Sequence, residues 1–246
     1  MKMAINELNS LCRSALEGSG WEQGDYEDAA DAAVWLHAIG LDGMEAIDRL
    51  LGVARQEEYV VEPALSARQG ASAEHTASCN GLAGCLLAFE LAWARATQAR
   101  TGTVRIFNAL SPRLALYGLK VMSSRGRRFD LSWRDNAGRH FATTSGHDNY
   151  PRYLGFNASA SETSSEITVW CGVDGATFKG ITVPEQDVAG AVDAVEFDAR
   201  YRDALWRGIE VDAAHIDRLI AWKSKVLVPE SLASRAHGAG GADDGF

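Results

Sequence analysis

Alternating apolar residues predict two strands in the middle of the chain, with a helix between them. Residues 103–108 and 127–133 place an apolar side chain at every second position, which is the period of a half-buried strand. The segment 112–122 carries apolar residues at roughly helical spacing and begins with proline, which suits a first helical turn. Short joints between these elements predict a crossover unit with parallel strands. We expect Val104 and Leu131 to be buried in neighbouring strands of this unit.

Apolar periodicity before this unit predicts a layer of helices. Three amphipathic helices with short joints are expected near 4–16, 26–39 and 44–55. A fourth helix, 81–98, is apolar nearly all round and is expected to be buried on every side. The small and polar piece 66–78 predicts a loop or a partly ordered segment.

The C-terminal half alternates between strand patterns and turn residues. The expected elements are strands at 139–144, 166–171 and 177–183, and helices at 198–207 and 213–225, the last capped by Asp212. Between them, the polar stretch 145–165 predicts a long loop that its aromatic residues hold in place. The less regular segment 185–194 suggests a helix.

Together these patterns predict an α+β fold, or an α/β fold with a mixed sheet. A helical layer of about residues 1–100 is expected to pack on the sheet. We expect residues 1–228 to form one domain, because no linker rich in proline or glycine divides them. Residues 229–246 are expected to form a separate tail that is rich in glycine and alanine.

The composition predicts a cytoplasmic protein that does not bind nucleic acid or membranes. The chain has 24 basic and 33 acidic residues, and its net charge of -9 disfavours non-specific binding to polyanions. Its first residues lack the continuous apolar run of a signal peptide. The longest apolar run, 82–94, is interrupted by Glu90 and falls short of the ~20 residues that a membrane helix needs.

The cysteines predict neither a disulfide nor a structural zinc site. The spacing of Cys79 and Cys85 fits neither a redox pair nor a zinc knuckle, and Cys12 and Cys171 lie far away in sequence. Reduced, buried thiols are the expected state in a cytoplasmic protein.

The chain contains no self-sufficient catalytic motif. Six histidines are scattered, and no HExxH motif, nucleophile elbow, Walker loop or dinucleotide-binding glycine motif is present. One polar cluster, Gly146-His147-Asp148-Asn149, is expected to lie in a loop, where catalytic residues often occur. His147 is therefore a candidate site residue.

The tail has the most unusual polar pattern of the chain. Arg235 is a fork-shaped donor that suits a carboxylate, and the glycines around it permit successive backbone N–H groups to face an anion. The candidate ligand-binding residues of the tail are Ser231, Ser234, Arg235, His237 and Asp243. The opposing interpretation is a flexible end, which is the default for chain termini. We expect 231–244 to fold back over the body and to contribute to a ligand or partner site.

Stretches at both ends of the chain carry a resemblance to a known family. They are the Asn6-Glu7-Leu8 helix, the Gly18-Ser19-Gly20-Trp21 break, the Trp35-Leu36 helix, and a tail running from Val228-Pro229-Glu230-Ser231 through Ser234-Arg235 to Gly238-Ala239-Gly240. With the central unit, they resemble a bacterial family that is known only as a domain of unknown function. This resemblance implies no particular activity.

The N-terminal helices are also similar to a second family. The segment from Glu7 to Gly43, with its Asp31-Ala32-Ala33 step, resembles the malate/L-lactate dehydrogenases that lack a Rossmann fold. In that family an Asp-Ser-His-Gly motif follows the second helix and supplies the catalytic histidine. Here Leu41-Asp42-Gly43-Met44 stands in that place, without serine or histidine. The resemblance therefore implies a non-catalytic relative, or one with different chemistry.

Three functions are compatible with these features. The first is an accessory or small-molecule-binding protein that acts beside a metabolic enzyme and forms part of its complex. The second is an enzyme on a small carboxylate-bearing metabolite, with Arg235 holding the carboxylate and His147 or His237 as the acid/base. The third is a divergent nicotinamide-dependent oxidoreductase that lacks the usual catalytic histidine. The residues alone assign no cofactor and no metal.

Overall fold

The computed structural model describes residues 1–52, 76–78, 82–107, 109, 111–135, 138–157, 166–172 and 188–226. The helices are α1 Ile5–Gly18, α2 Gln23–Ala38, α3 Gly43–Leu51, α4 Leu82–Ala99, α5 Ala115–Met122, α6 Ala194–Arg207 and α7 Ala213–Lys223, with a 3-10 helix at Pro112–Leu114. The strands are β1 Lys2–Met3, β2 Thr76–Ser78, β3 Thr101–Phe107, β4 Arg128–Asp135, β5 Gly138–Thr144, β6 Arg152–Asn157, β7 Ile167–Gly172, β8 Val188–Val192 and β9 Ile209–Glu210.

The main sheet is mixed, and the fold is α+β, as the sequence predicts. Its strand order is β2-β3-β7-β4-β5-β6-β8, in which β2 and β3 are parallel and every other pair is antiparallel. Strands β1 and β9 form a separate antiparallel pair that joins the two ends of the described chain.

The two strands of the predicted crossover unit are parallel, as expected, but they are not neighbours in the sheet. Strands β3 and β4 both run antiparallel to β7, so they are parallel to each other, but β7 lies between them. Val169 of β7 pairs with Val104 on one side and with Leu131 on the other, and all three residues are buried. The expectation of neighbouring strands is therefore wrong, because alternation identifies the face of a strand and not its partner.

Helices α4 and α5 lie between the sheet and the N-terminal helices. One hydrophobic core contains residues from α1, α2 and α3 together with residues from the sheet strands. The expected burial of α4 on every side is wrong, since Leu87 and Trp93 are each 37% exposed. This helix packs on β3 and β7 with one face and on α2 and α5 with another, which leaves its outer face uncovered by them.

Three short strands lie where the sequence predicts other structure. Strand β6 falls within the expected loop 145–165, β8 within the expected helix 185–194, and β2 within the expected loop 66–78. These strands have three to six residues, and glycine or alanine occupies several of their positions, so they show little alternation. The strand expected at 177–183 lies outside the described residues.

The remaining expected elements agree with the structure. Strands β5 and β7 and helices α1 to α4, α6 and α7 occupy the predicted segments to within a few residues. Asp212 caps α7 by accepting the backbone N–H of Ala214 at 2.8 Å. No helix in the described part of the chain has the length and hydropathy needed to cross a membrane.

Candidate functional site

A continuous series of polar contacts links the joint between α2 and α3 to strands β4, β5 and β6. Arg113 Nη1 donates to Asp42 Oδ2 at 2.7 Å, and Arg113 Nη2 lies 3.5 Å from Asp135 Oδ2. His140 contacts Asp135 Oδ1 through Nε2 at 2.8 Å and the Tyr153 hydroxyl through Nδ1 at 2.7 Å. We call these five residues the junction cluster.

The outer end of the junction cluster is positioned by close packing between α2 and α3. A Cβ atom at Gly43 would lie 1.9 Å from the carbonyl oxygen of Ala33, so only glycine permits α3 to begin against α2. Asp42 therefore lies directly at this joint, and its side chain caps no backbone N–H of α3. Arg113 lies in the 3-10 helix, which packs on α2, α3 and β4.

The inner end of the cluster is positioned by the pleat of the sheet. Trp133 and Asp135 share one face of β4, and His140 of β5 lies directly across from Trp133. Gly155 of β6 lies across from His140, and a Cβ atom there would be 3.1 Å from the Tyr153 hydroxyl. The missing side chain at Gly155 thus leaves room for the hydrogen bond between Tyr153 and His140.

The hydrogen-bond partners assign one tautomer to His140. Because the Asp135 carboxylate only accepts hydrogen bonds, His140 Nε2 must carry the proton that it donates. In the neutral imidazole Nδ1 is then the acceptor of the hydrogen bond that the Tyr153 hydroxyl donates. A hydroxyl, a base and a carboxylate that orients the base stand in the same order as in nucleophilic and acid/base triads.

Solvent exposure falls steeply along the junction cluster. The Asp42 side chain is 66% exposed, Arg113 is 23% exposed, and His140 is only 4% exposed. Burial raises the pKa of the Tyr153 phenol, Arg113 opposes this shift, and Asp135 and Asp42 add to it. The cluster therefore has a solvated charged end and a dry end that favours neutral groups.

Two buried polar groups beside the cluster have no hydrogen-bond partner among the described residues. Trp133 stacks on His140 with ring centroids 4.8 Å apart, and its buried indole N–H meets no acceptor in the described part of the chain. Ser111 precedes the 3-10 helix, and its buried hydroxyl likewise has no partner within the described ranges. Since buried polar groups in native proteins are nearly always hydrogen-bonded, such groups are candidates for contacts with a ligand or with water.

The structure does not bring His147 into the junction cluster. His147 is exposed in the loop after β5, where its backbone N–H donates to Ser145 Oγ at 3.2 Å. His140 and Thr144 are four residues apart on β5, or about 13 Å along an extended strand, so His147 lies beyond the opposite end of that strand. The other predicted site residues, Ser231, Ser234, Arg235, His237 and Asp243, lie outside the described residues.

The sequence predicts none of the five cluster residues as a site residue, but one signal for two of them is present. Turn residues at 134–138 join the predicted strands 127–133 and 139–144, which brings Asp135 and His140 close together across the turn. Tyr153 gave no such signal, because it lies in a stretch that predicts a loop. Arg113 meets Asp42 only through tertiary packing.

The described cysteines and acidic residues form no metal site. No group of three or more His, Cys, Asp or Glu side chains suited to a metal ion occurs in the described part of the chain. Cys12 and Cys171 are free and buried, and Cys85 is buried as well, whereas Cys79 lies outside the described ranges. Burial raises the pKa of the Cys12 and Cys171 thiols to about 12, which makes these thiols unreactive near neutral pH.

Comparison with known proteins relates the chain to one sequence family and to one group of folds. The model of the family "Protein of unknown function (DUF3726)" matches residues 3–75. No curated protein is detectably similar in sequence.

Several solved structures share the fold. A dehydrogenase from Sinorhizobium meliloti has a TM-score of 0.65 and 12% identity, over 91% of this chain and 99% of its own. Malate dehydrogenase from Pyrococcus horikoshii OT3 has a TM-score of 0.65 and 11% identity, over 94% and 97%. Sulfolactate dehydrogenase from Methanocaldococcus jannaschii has a TM-score of 0.63 and 11% identity, over 92% and 97%.

These similarities confirm the expected likeness to malate/lactate dehydrogenases at the level of the fold. At identities of 11 to 12%, the roles of individual residues in those structures do not transfer to this chain. The joint Leu41–Met44, which has neither serine nor histidine, contributes Asp42 to the junction cluster. The histidine of the cluster comes instead from β5.

Proposed function

We propose that the protein binds a small carboxylate-bearing metabolite at the junction cluster, with Arg113 as its anchor. The observation that carries this proposal is the contact between Arg113 and Asp42. A carboxylate already occupies Arg113 Nη1 at 2.7 Å, and it belongs to a side chain that is 66% exposed. Asp42 thus stands where the carboxylate of a ligand would bind.

The energetics of the two contacts favour an exchange of carboxylates. An ion pair with a largely exposed partner contributes only about 0–1 kcal/mol. A ligand carboxylate that is held by the Arg113 fork in a partly buried position gains about 1.5–3 kcal/mol per charge-assisted hydrogen bond. We therefore expect the ligand to displace the Asp42 side chain from Arg113.

The similar structures support this ligand class. Two of them are named for reactions on malate and on sulfolactate, and both compounds are small carboxylates. At 11% identity, these structures support the chemical class of the ligand and not one particular compound.

A second candidate function is an enzyme that acts on this metabolite. The contacts from Asp135 through His140 to Tyr153 favour it, because they contain the elements of an acid/base system. The role beside a metabolic enzyme is compatible with either function, and capture of a partner from native cells tests it. That Arg235 of the tail holds a carboxylate stays a prediction, because the tail lies outside the described residues.

The junction cluster itself does not suit a nicotinamide dinucleotide. The dehydrogenase resemblance implies such a cofactor, but the cluster combines one guanidinium with two carboxylates, which disfavours a pyrophosphate. The proposed binding of the metabolite does not involve a nicotinamide. Titration of the protein with NADH, followed by the fluorescence of the nucleotide, tests that third function directly.

Calorimetric titration tests the proposed ligand class. The full-length protein is titrated with a panel of three- to five-carbon 2-oxo and 2-hydroxy acids. We expect Arg113→Gln to weaken binding at least about ten-fold, because it removes a charge-assisted contact worth about 1.5–3 kcal/mol. Arg207→Gln is the matched control, since Arg207 is exposed on α6 and pairs with Asp203 of the same helix. Equal affinity of Arg113→Gln and wild type, or no binding by any panel member, contradicts the proposal.

A further inference from the structure

We infer that Tyr153 is a catalytic residue that exchanges a proton with the carbon next to the carbonyl of a bound 2-oxo acid. His140 takes up the hydroxyl proton of Tyr153, and Asp135 positions His140. This inference rests on the proposed function, because it requires a carboxylate held at Arg113.

The geometry joins the proton-transfer groups to the anchor. The Tyr153 hydroxyl lies 2.7 Å from His140 Nδ1, and His140 Nε2 lies 2.8 Å from Asp135 Oδ1. The second oxygen of Asp135 lies 3.5 Å from Arg113 Nη2. A single carboxylate thus contacts both the base and the anchor, so the reacting groups and the carboxylate-binding group belong to one connected site.

The dry environment explains why the site needs both a tyrosine and a histidine. Burial raises the pKa of the Tyr153 phenol, so a free phenolate is disfavoured. The phenol oxygen can accept a proton from the ligand only if its own proton leaves in the same step. His140 Nδ1 is the acceptor at hydrogen-bond distance, and Asp135 stabilises the imidazolium that results.

The proposed step balances without an oxidant or a reductant. The C–H bond next to the ligand carbonyl breaks, and its proton moves to the Tyr153 oxygen. The Tyr153 proton moves to His140 Nδ1, and the electron pair of the broken bond forms the carbon–carbon double bond of an enolate. Reversal of the step returns a proton, or a deuteron in heavy water.

Proton exchange at carbon measures this step directly. Full-length protein is incubated in heavy water with pyruvate, 2-oxobutyrate or 2-oxoglutarate, and loss of the proton signal next to the carbonyl is followed by NMR. We expect wild-type protein to accelerate exchange above the buffer rate for at least one of the acids. Tyr153→Phe should lower the protein-catalysed rate about 100-fold or more while still binding that acid, as is typical for loss of an acid/base. Tyr201→Phe, a tyrosine on α6, is the matched control with an unchanged rate.

Three further variants separate a chemical role from a structural one. His140→Gln should lower the rate while binding of the acid is retained, because Tyr153 and Arg113 are unchanged. Asp135→Asn should lower the rate, and Asp135→Glu should recover part of it by keeping the carboxylate. Gly155→Ala keeps all these groups but crowds the Tyr153 hydroxyl, where its Cβ atom would lie 3.1 Å away, so it should slow exchange even if Tyr153→Phe fails to fold.

The outcomes distinguish this inference from the proposed function. If wild-type protein binds one of the acids but exchanges its protons no faster than buffer, the inference is overturned and the binding proposal stands. A Tyr153→Phe or Gly155→Ala variant that is folded and as fast as wild type also overturns it. If none of the three acids binds to wild-type protein, the inference fails, and the wider panel decides whether the binding proposal fails with it.

Discussion

The two ends of the junction cluster differ in how their contacts are held. At the outer end, Asp42 and Arg113 meet across a joint between helices, and the carboxylate is mostly in solvent. At the inner end, His140 and Tyr153 lie on adjacent strands beneath a stacked indole, and almost none of the imidazole is exposed. The same types of polar contact are therefore exchangeable at one end and fixed at the other.

This difference follows from the cost of leaving a partner unpaired. A surface group that loses its partner is solvated by water, so the loss is small. A buried group has no such replacement, and its desolvation costs about 1–3 kcal/mol. We infer that the outer end suits binding and release of a ligand, whereas the inner end suits a chemical step that needs fixed geometry.

The largest expected effect concerns the sheet that supports the inner end. Leu131 is fully buried on β4, between Val169 and Ala142 in the sheet. We expect Leu131→Ala to lower the free energy of unfolding by about 2–5 kcal/mol, through lost burial and a residual cavity. The control is Leu205→Ala on α6, where the side chain is 56% exposed. Urea denaturation of both variants checks this, and equal midpoints would show that the inner end does not rest on a packed sheet.

The next effect isolates the polar contacts of the inner end. His140→Ala removes the hydrogen-bond partner of the buried Tyr153 hydroxyl and one of the partners of Asp135, and it opens space under Trp133. We expect a loss of about 1–3 kcal/mol in the free energy of unfolding, since a buried group is left unpaired. Thermal unfolding near neutral pH measures it. A change within about 0.5 kcal/mol, as is usual for surface substitutions, would remove the distinction between the two ends.

A smaller effect is expected at alkaline pH. Because the folded state raises the pKa of Tyr153, its phenol contributes stability that is fully present below the unfolded tyrosine value of about 10. That contribution is lost as the pH rises through the higher folded value. Tyr153→Phe should therefore lose less stability than wild type between neutral pH and the region above 10. If both proteins lost the same amount of stability over this pH range, the raised pKa of Tyr153 in the folded state would be contradicted.

The smallest effect on stability is expected at the outer end. Asp42→Asn removes the mostly exposed charge of its ion pair with Arg113, and the Asp42 side chain caps no helix, so the free energy of unfolding should fall by about 1 kcal/mol or less. Glu45→Gln, in the exposed pair with Arg49 on α3, is a matched control of similar size. A loss above about 1 kcal/mol for Asp42→Asn would mean that Asp42 is a fixed structural residue.

The sequence predicts some of the local structure at the inner end of the cluster, but not the strand order of the sheet around it. The hairpin that holds Asp135 and His140 follows from alternation and turn residues, because both signals are local. The position of β7 between β3 and β4 does not follow, since strand partners are chosen by contacts between distant segments. Tyr153 was missed for a related reason, because Gly155 and the polar residues around β6 hide its strand pattern.

The resemblance to dehydrogenases does not predict the outer end as a site. It implies that the joint Leu41–Met44 lacks the catalytic histidine, whereas the structure shows Asp42 of this joint in contact with Arg113. The absence of histidine from the joint could not indicate where another histidine would come from. His140 is about 100 residues away in sequence, and only folding brings it to the same cluster.

The affinity of Asp42→Asn for the metabolite tests the central claim most directly. If the Asp42 carboxylate occupies the position of the ligand on Arg113, its neutral replacement competes less well. We expect the variant to bind the best acid of the panel up to about five-fold more tightly than wild type, which corresponds to the ~1 kcal/mol of an exposed ion pair. The increase should vanish in the double variant with Arg113→Gln. Unchanged or weaker binding by Asp42→Asn would contradict the claim that Asp42 holds the place of a ligand carboxylate.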